Sequence, residues 1–577
     1  MRARASGVAA GEAITITFDG RALAARRGET LAATLAAAGI TALRTTRRGE
    51  LRGLFCGMGV CQDCLVEVDG RHNERACMTK VEGPLTVHSQ RFPPRLEDDG
   101  NQGVLDTSAR PVLTPELLVI GAGAGGLTAA AVAAEAGVEV VLVDERPTPG
   151  GQYFKQPLAP LAEAFDDPQF AAGRRLIARV RAAGVTVMPG TVWSASLPLA
   201  ILVQDGQGTR AVRPGQLIVA TGAFERALPV PGWTLPGVAT TGAAQTLLRS
   251  YRVLPGRRVV VAGNGPLNLQ VACELHRAGA EVVAVAELAG RPGPAKLGAL
   301  CRMALNAPKL VAQGAAYLRD LRWAGIPLLH GHVLAAVENE GGSLLARLRP
   351  VAGGSVRAFA ADAVTMGYGF LPANDVLRLL GCRHIYDPTR GHLVTVRDGD
   401  GRTTVPEVFG VGDGCGLGGA GAAEAEGVLA GLAVAEALGR SPSHDRTRAR
   451  ADLARQRRFQ KALWQLFQAP LTGVALADAT TVICRCEEVT LGEIEPALAD
   501  GGAVLGSIKR GTRAGMGRCQ GRYCGPLLAG LVEARCGQPL GELAFFAPRP
   551  PIRPVPLDAI AAIGELGAKE AEPCRSP

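Results

Sequence analysis

Residues 117–144 read LLVIGAGAGGLTAAAVAAEAGVEVVLVD. A short apolar run leads into glycines, an alanine-rich run, a second apolar run and an acid. This is the order of a strand, a phosphate loop, a helix and a second strand. Gly121, Gly123 and Gly126 stand as G-x-G-x-x-G. The glycines allow the tight turn, the close approach of backbone to a pyrophosphate and the packing of helix on strand. The helix N-terminus favours the phosphate charge, and Asp144 ends the second strand where a ribose hydroxyl would lie. The motif alone is weak. With a strand before it and a helix, strand and acid behind it, the stretch predicts a parallel α/β nucleotide fold.

Three later segments extend this reading. ERPTPGGQYF carries Gly151 and Gln152, LIVATGAFERALPVPG carries the turn Ala220-Thr221-Gly222, and VPEVFGVGDGCGLGGAGAAEAEG ends a strand at Gly412-Asp413. By itself Asp413 also reads as a turn residue at a strand end. In this order the segments resemble the two-dinucleotide flavoproteins that include thioredoxin reductase and sarcosine oxidase alpha subunits. The resemblance implies FAD as the ligand, with Asp413 on its ribityl chain. Cys273, Cys301, Cys382 and Cys415 are isolated in this block. A disulfide reductase needs an exchange-competent dithiol beside its flavin, so that activity is not expected.

A second strand–loop–helix–strand unit begins at Arg257: RRVVVAGNGPLNLQVACELHRAGAEVVAVAE. Gly263 and Gly265 keep the first two glycines, but Asn268 replaces the third. A side chain there opposes close helix–strand packing, and Glu287 follows Ala286 where the ribose acid is expected. NAD(P), another adenine nucleotide and a structural remnant all remain open for this unit.

Cysteines concentrate at the two ends of the chain. Cys56, Cys61, Cys64 and Cys77 are spaced C-x4-C-x2-C-x12-C, and the first three match the plant-type 2Fe–2S pattern. Gly57 and Gly59 let the backbone wrap a small cluster. The flanks read as a hairpin and helix before the loop and a strand after it, as in a β-grasp ferredoxin. Cys484, Cys486, Cys519 and Cys524 are spaced C-x-C-x32-C-x4-C. Thr490 and Glu493 form a capping-box pattern between these pairs. The phrase RAGMGRCQGRYC resembles the bacterioferritin-associated ferredoxin domain, which implies a second 2Fe–2S cluster. Zinc is the rival ligand for both sets. Cys536 and Cys574 read as bystanders.

At 577 residues and 47% hydrophobic content the chain supports several cored domains. The net charge is +9, but the basic residues are scattered and aromatics are only 4%, which argues against nucleic-acid binding. No secretory h-region and no transmembrane segment is legible, so a cytoplasmic location is expected. There, clustered thiols favour metal ligation over disulfides. The expected organisation is a 2Fe–2S ferredoxin-like domain at 1–92 and a linker at 93–113. An FAD-binding domain follows at 114–240 and 362–438, enclosing an NAD(P)-type domain at 241–361. A linker helix at 439–479, a helical 2Fe–2S domain at 480–540 and a tail at 541–577 complete the chain. The basic, helically spaced run RARADLARQRRFQKALWQLF reads as a surface-packed helix, with partner docking as the alternative.

The whole order, with PGWTLPGVATTGAAQTLLRS, VAGNGPLNLQ and MGYGFLPANDVLRLLG, resembles the alpha-type subunits of multi-subunit amine and amino-acid dehydrogenases. These include D-hydroxyproline dehydrogenase, opine oxidase, hydrogen cyanide synthase and sarcosine oxidase. The small ferredoxin, often a separate subunit, looks fused here at the N-terminus. The resemblance implies that substrate is oxidised at a second flavin on a beta-type oxidase subunit and that electrons pass through this chain to an acceptor. An NAD(P)H-dependent flavin/iron–sulfur reductase and a scaffold with structural cofactors are the alternatives. The eight histidines are dispersed and suggest no general base for a substrate.

Overall fold

The computed structural model describes residues 1–2, 12–91, 110–146, 148–158, 167–470, 472–500, 504–537 and 539–563. Most of the expected linker at 93–113, and Cys574, lie outside the described residues, as does the side chain of Cys536.

The first block is a five-stranded sheet. Its order is Arg21–Arg26, Ala13–Phe18, Thr86–Ser89, Leu65–Val68 and Arg71–Arg75. Ala13–Phe18 alternates exposed and buried residues, so one face stays wet while Ile14, Ile16 and Phe18 enter the core. Helix Leu31–Ala37 covers that face through Leu31 and Leu35, and Thr30 caps it by accepting from the Ala33 amide.

The central block holds two parallel sheets. The first runs Thr186–Pro189, Val140–Asp144, Leu117–Ile120, Gln216–Val219 and Val408–Gly410. Leu117–Ile120 is buried throughout, as a strand covered on both faces requires. Helices Ala124–Glu135 and Ala420–Ala437 pack with almost no gap: a Cβ at Gly431 would lie 2.8 Å from the Ala129 carbonyl oxygen. The second sheet runs Val238–Thr240, Ala363–Gly367, Arg258–Gly263, Glu281–Glu287 and Leu328–His330, again all parallel.

The run read as a linker helix forms Arg446–Leu466, lying on the surface beside Ala420–Ala437. Its basic face is tied to this chain: Arg446 and Arg450 reach Asp400, and Arg457 reaches Glu426. After it come a short hairpin, Val482–Cys484 with Val489–Thr490, and helices Leu491–Asp500, Leu505–Thr512 and Cys524–Cys536. Thr490 and Glu493 make the reciprocal capping box, with the Thr490 amide donating to Glu493 Oε2 at 2.8 Å. The segment read as a tail differs from expectation. Residues 541–563 return to the first nucleotide domain, where the buried Ile552 donates its amide to Trp193 O (2.8 Å) and Thr209 donates to Ala559 O (2.8 Å). Apolar Ile552 and Ala559 drive that return by burying against the sheet. Among the described residues no helix is long and apolar enough to cross a membrane.

Candidate functional site

A cavity of about 720 Å³ runs along the first nucleotide fold. Its wall includes Gly121, Gly123, Asp144, Gly151, Gln152, Thr221, Gly222 and Asp413. The loop glycines are sterically required. A Cβ on Gly126 would run into the Gly121 carbonyl oxygen, and Gly121 itself has φ +108°. Helix Ala124–Glu135 starts at Gly123 with no side-chain cap, leaving its first amides to an anion. Asp144 accepts from the amides of Ala122 (2.6 Å) and Arg146 (2.7 Å), which ties the strand end to the loop. Asp413 accepts from the Gly418 and Gly419 amides through Oδ1 alone, both at 2.8 Å. Burial raises the pKa of both acids above the ordinary range. Thr221 donates its hydroxyl to Ala373 O (2.6 Å), so its side chain shapes the turn. Gln152 turns its amide oxygen to the Arg146 guanidinium.

Sequence reasoning did not find Lys155 and Glu225. Both are buried in the cavity wall. Lys155 donates to Gln245 Oε1 (2.8 Å), and Glu225 accepts from the Gly242 amide (2.9 Å). Burial pushes the Lys155 pKa down to about 7 and the Glu225 pKa up to about 7. No motif marks them, and their polar neighbours Gln156 and Arg226 give no local signal of burial. Arg522 and Arg553 reach the same cavity from the C-terminal block, with Arg522 paired to Asp375 at 3.0 Å. Among the described residues no histidine lines the cavity.

The second fold presents its loop differently. Glu287 folds back on it, accepting from the Gly265 and Ala289 amides at 3.0 Å each. Asn268 is buried; it accepts from the Thr241 hydroxyl and donates to Gly367 O, both at 2.9 Å. Asn264 donates to Phe467 O (3.0 Å), which brings the end of the surface helix over the loop. Gly263, Gly265 and Asn268 are absent from the cavity wall, which this fold reaches through Pro266, Leu267 and Gln270. The extra side chain at Asn268 is thus accommodated by bonds within the protein.

Both cysteine sets converge. Cys56 contacts the thiols of Cys61 and Cys77, Cys77 also contacts Cys64, and the Cys61 amide donates to Cys56 Sγ (3.4 Å). In the C-terminal set the sulfurs meet as two pairs, Cys484 with Cys524 and Cys486 with Cys519. Two thiolates for each of two metals is the demand of a two-iron cluster. Among the described residues no three His, Cys, Asp or Glu side chains are arranged around a single ion. The N-terminal loop docks on the second domain, where the Thr240 amide donates to Phe55 O (2.9 Å) and a Cβ on Gly57 would lie 3.0 Å from Ala243 Cα. This contact brings Cys56 and Met58 to the cavity wall.

The pyridine nucleotide-disulphide oxidoreductase family model matches residues 115–435, more than half of the chain. The chain belongs to that family. It is an FAD-dependent oxidoreductase with an N-terminal 2Fe-2S iron-sulfur cluster binding domain at 11–91 and a sarcosine oxidase A3 domain at 479–564. An opine oxidase subunit of Rhizobium meliloti (strain 1021) is 33% identical over 464 residues, covering 78% of this chain and 99% of that protein. Hydrogen cyanide synthase subunit HcnB of Pseudomonas aeruginosa is 33% identical over 479 residues, covering 78% and 98%. Hydrogen cyanide synthase subunit HcnA of Pseudomonas protegens is 41% identical over 76 residues, covering 13% of this chain and 72% of that protein. The L-proline dehydrogenase structure from P. horikoshii shares the fold, with a TM-score of 0.68 at 20% identity over 95% of this chain and 98% of that one. The resemblance expected from sequence is therefore the family that the comparisons return.

Proposed function

We propose that this flavoprotein is the electron-transfer subunit of a heteromeric amino-acid, imino-acid or opine dehydrogenase or oxidase. A beta-type FAD oxidase subunit would oxidise the substrate, and this chain would carry the electrons between it and an acceptor. The carrying observation is the shared cavity, which the Gly121–Gly123 loop and Cys56 both line. The names of the relatives support the heteromeric reading, since the opine oxidase relative, HcnB and HcnA are all subunits. The 2Fe-2S domain at 11–91 and the likeness to HcnA, a subunit that matches 76 residues of this chain, support a fused ferredoxin subunit.

Bound FAD would supply the exchange between two-electron and one-electron chemistry. The amides opening helix Ala124–Glu135 fit its pyrophosphate, Asp144 a ribose hydroxyl, and the open Oδ2 of Asp413 a ribityl hydroxyl. Gly151, Gln152, Thr221 and Gly222 shape the wall between them. Cys56, Cys61, Cys64 and Cys77 would hold one 2Fe–2S cluster, and Cys484, Cys486, Cys519 and Cys524 a second in the bacterioferritin-associated-ferredoxin manner. The engaged side chains of Glu287 and Asn268 support a structural role for the second nucleotide fold.

The test is anaerobic reduction followed by visible and EPR spectroscopy. Dithionite should bleach a flavin and develop two-iron signals, and NAD(P)H alone should do neither. Rapid bleaching by NAD(P)H would replace this reading with the reductase. Zinc in place of iron would remove the relay altogether.

A further inference from the structure

We propose that the N-terminal cluster is the middle station of the redox path, between the flavin and the C-terminal cluster, and that Arg485 and Asp63 lock the two cluster loops together. The inference rests on the electron-transfer reading above and adds the order of its stations.

Two contacts set the order. Cys56 and Met58 line the cavity, whereas none of Cys484, Cys486, Cys519 and Cys524 does. On its other side the N-terminal loop touches the C-terminal set directly, with the Cys486 thiol 3.8 Å from the Cys61 carbonyl oxygen. One peptide group therefore separates a ligand of one set from a ligand of the other. The N-terminal set faces both neighbours, and the C-terminal set faces only one.

The junction is overdetermined. Asp63, between Cys61 and Cys64, is fully buried and accepts from Arg44 (2.9 Å) and from Arg485 Nε (2.5 Å). Arg485, between Cys484 and Cys486, is also buried. It lies over the rings of Phe55 (3.9 Å) and Trp233 (4.5 Å) and donates to Trp233 O (2.9 Å). An ion pair this deep is costly to desolvate and persists only with such support. Tyr523 completes the wall, edge-on to Phe55 and Phe224 at 5.6 Å each. Its buried hydroxyl has no hydrogen-bond partner among the described residues. A buried phenol without a partner points to an acceptor beyond the polypeptide, and sulfur of the adjoining cluster is such an acceptor.

The electrons balance within the chain. Anionic reduced flavin would release two electrons and one proton, each cluster would take one electron as one of its ferric ions becomes ferrous, and the proton would leave to solvent. The first electron must cross the N-terminal station before the second can occupy it. Run in reverse, the same order loads the flavin.

The experiment compares the full-length holoprotein with Cys519→Ser, which removes the C-terminal cluster, and Cys61→Ser, which removes the N-terminal one. Iron content verifies each loss. The fully reduced wild type should give an EPR spectrum split or broadened beyond the sum of the two single-cluster spectra. The radical signal of partly reduced flavin should resist microwave saturation in Cys519→Ser and saturate easily in Cys61→Ser. The opposite ranking, or a wild-type spectrum that is the plain sum, overturns the order while leaving the electron-transfer reading intact. Iron-replete wild type with no two-iron signal overturns both. Arg485→Gln keeps all eight ligands. It should lose the inter-cluster splitting but retain both cluster signals and the flavin relaxation, with Arg485→Lys restoring part of the splitting. Unchanged splitting in Arg485→Gln overturns the lock.

Discussion

At the scale of single residues, the cavity separates side chains that hold the backbone from side chains with capacity left for a ligand. Thr221 belongs to the first kind and Asp413 to the second. Asp413→Ala should weaken FAD binding by about 10- to 100-fold, the worth of a hydrogen bond to a charged group. Flavin fluorescence on titration into flavin-stripped protein measures this. Glu225 and Lys155 make folding stability depend on pH in opposite senses. Between about 4.5 and 7 the unfolded Glu225 is ionised and the folded one is protonated, so rising pH destabilises the fold. Between about 7 and 10.5 the unfolded Lys155 holds a proton that the folded one has lost, so rising pH stabilises it. Glu225→Gln removes the first slope. Denaturation of the holoprotein should show the variant gaining about 1–3 kcal/mol more over wild type at about pH 8 than at about pH 5.5.

At the scale of elements, the two nucleotide folds share the order of four parallel strands and the loop position but differ in what fills the loop. In the first, a Cβ on Gly126 would collide with Gly121, so glycine is obligatory. In the second, Asn268 bonds the loop to Thr241 and to the strand end at Gly367. Restoring the third glycine with Asn268→Gly should therefore give no reduction by NAD(P)H and cost about 1–3 kcal/mol, the penalty of stranding buried polar partners. Denaturation and the flavin absorbance after NAD(P)H addition test the two halves. The substitution was legible in the sequence. Its compensation was not, because Thr241 and Gly367 are brought to it only by the packing of two other elements.

At the scale of the whole molecule, the N-terminal and C-terminal cysteine loops meet beside the cavity. Asp63 and Arg485 are 422 residues apart in sequence and 2.5 Å apart in space. Holoprotein isolated without air should carry about four irons per chain, and Cys56→Ser or Cys484→Ser should each leave about two. Total iron and acid-labile sulfide decide this. A single substitution that removed all four would mean that neither end folds without the other's cluster.

The sequence by itself determined the nucleotide loop, the ordered flavoprotein segments and both cysteine spacings. Each of these is built from short motifs, such as the glycine loop and the C-x4-C-x2-C and C-x-C pairs, whose internal spacing is a local property, and the order of the motifs along the chain supplies the rest. Lys155, Glu225, Tyr523 and the Asp63–Arg485 pair carry no such spacing. Only the tertiary structure decided their surroundings, because burial and partnership arise when distant segments close on one another. The same closure turned the segment after residue 540 from an expected tail into part of the cavity wall, through Ile552 and Arg553. Short apolar and basic runs look alike in solvent and in a core until the packing that buries them is known.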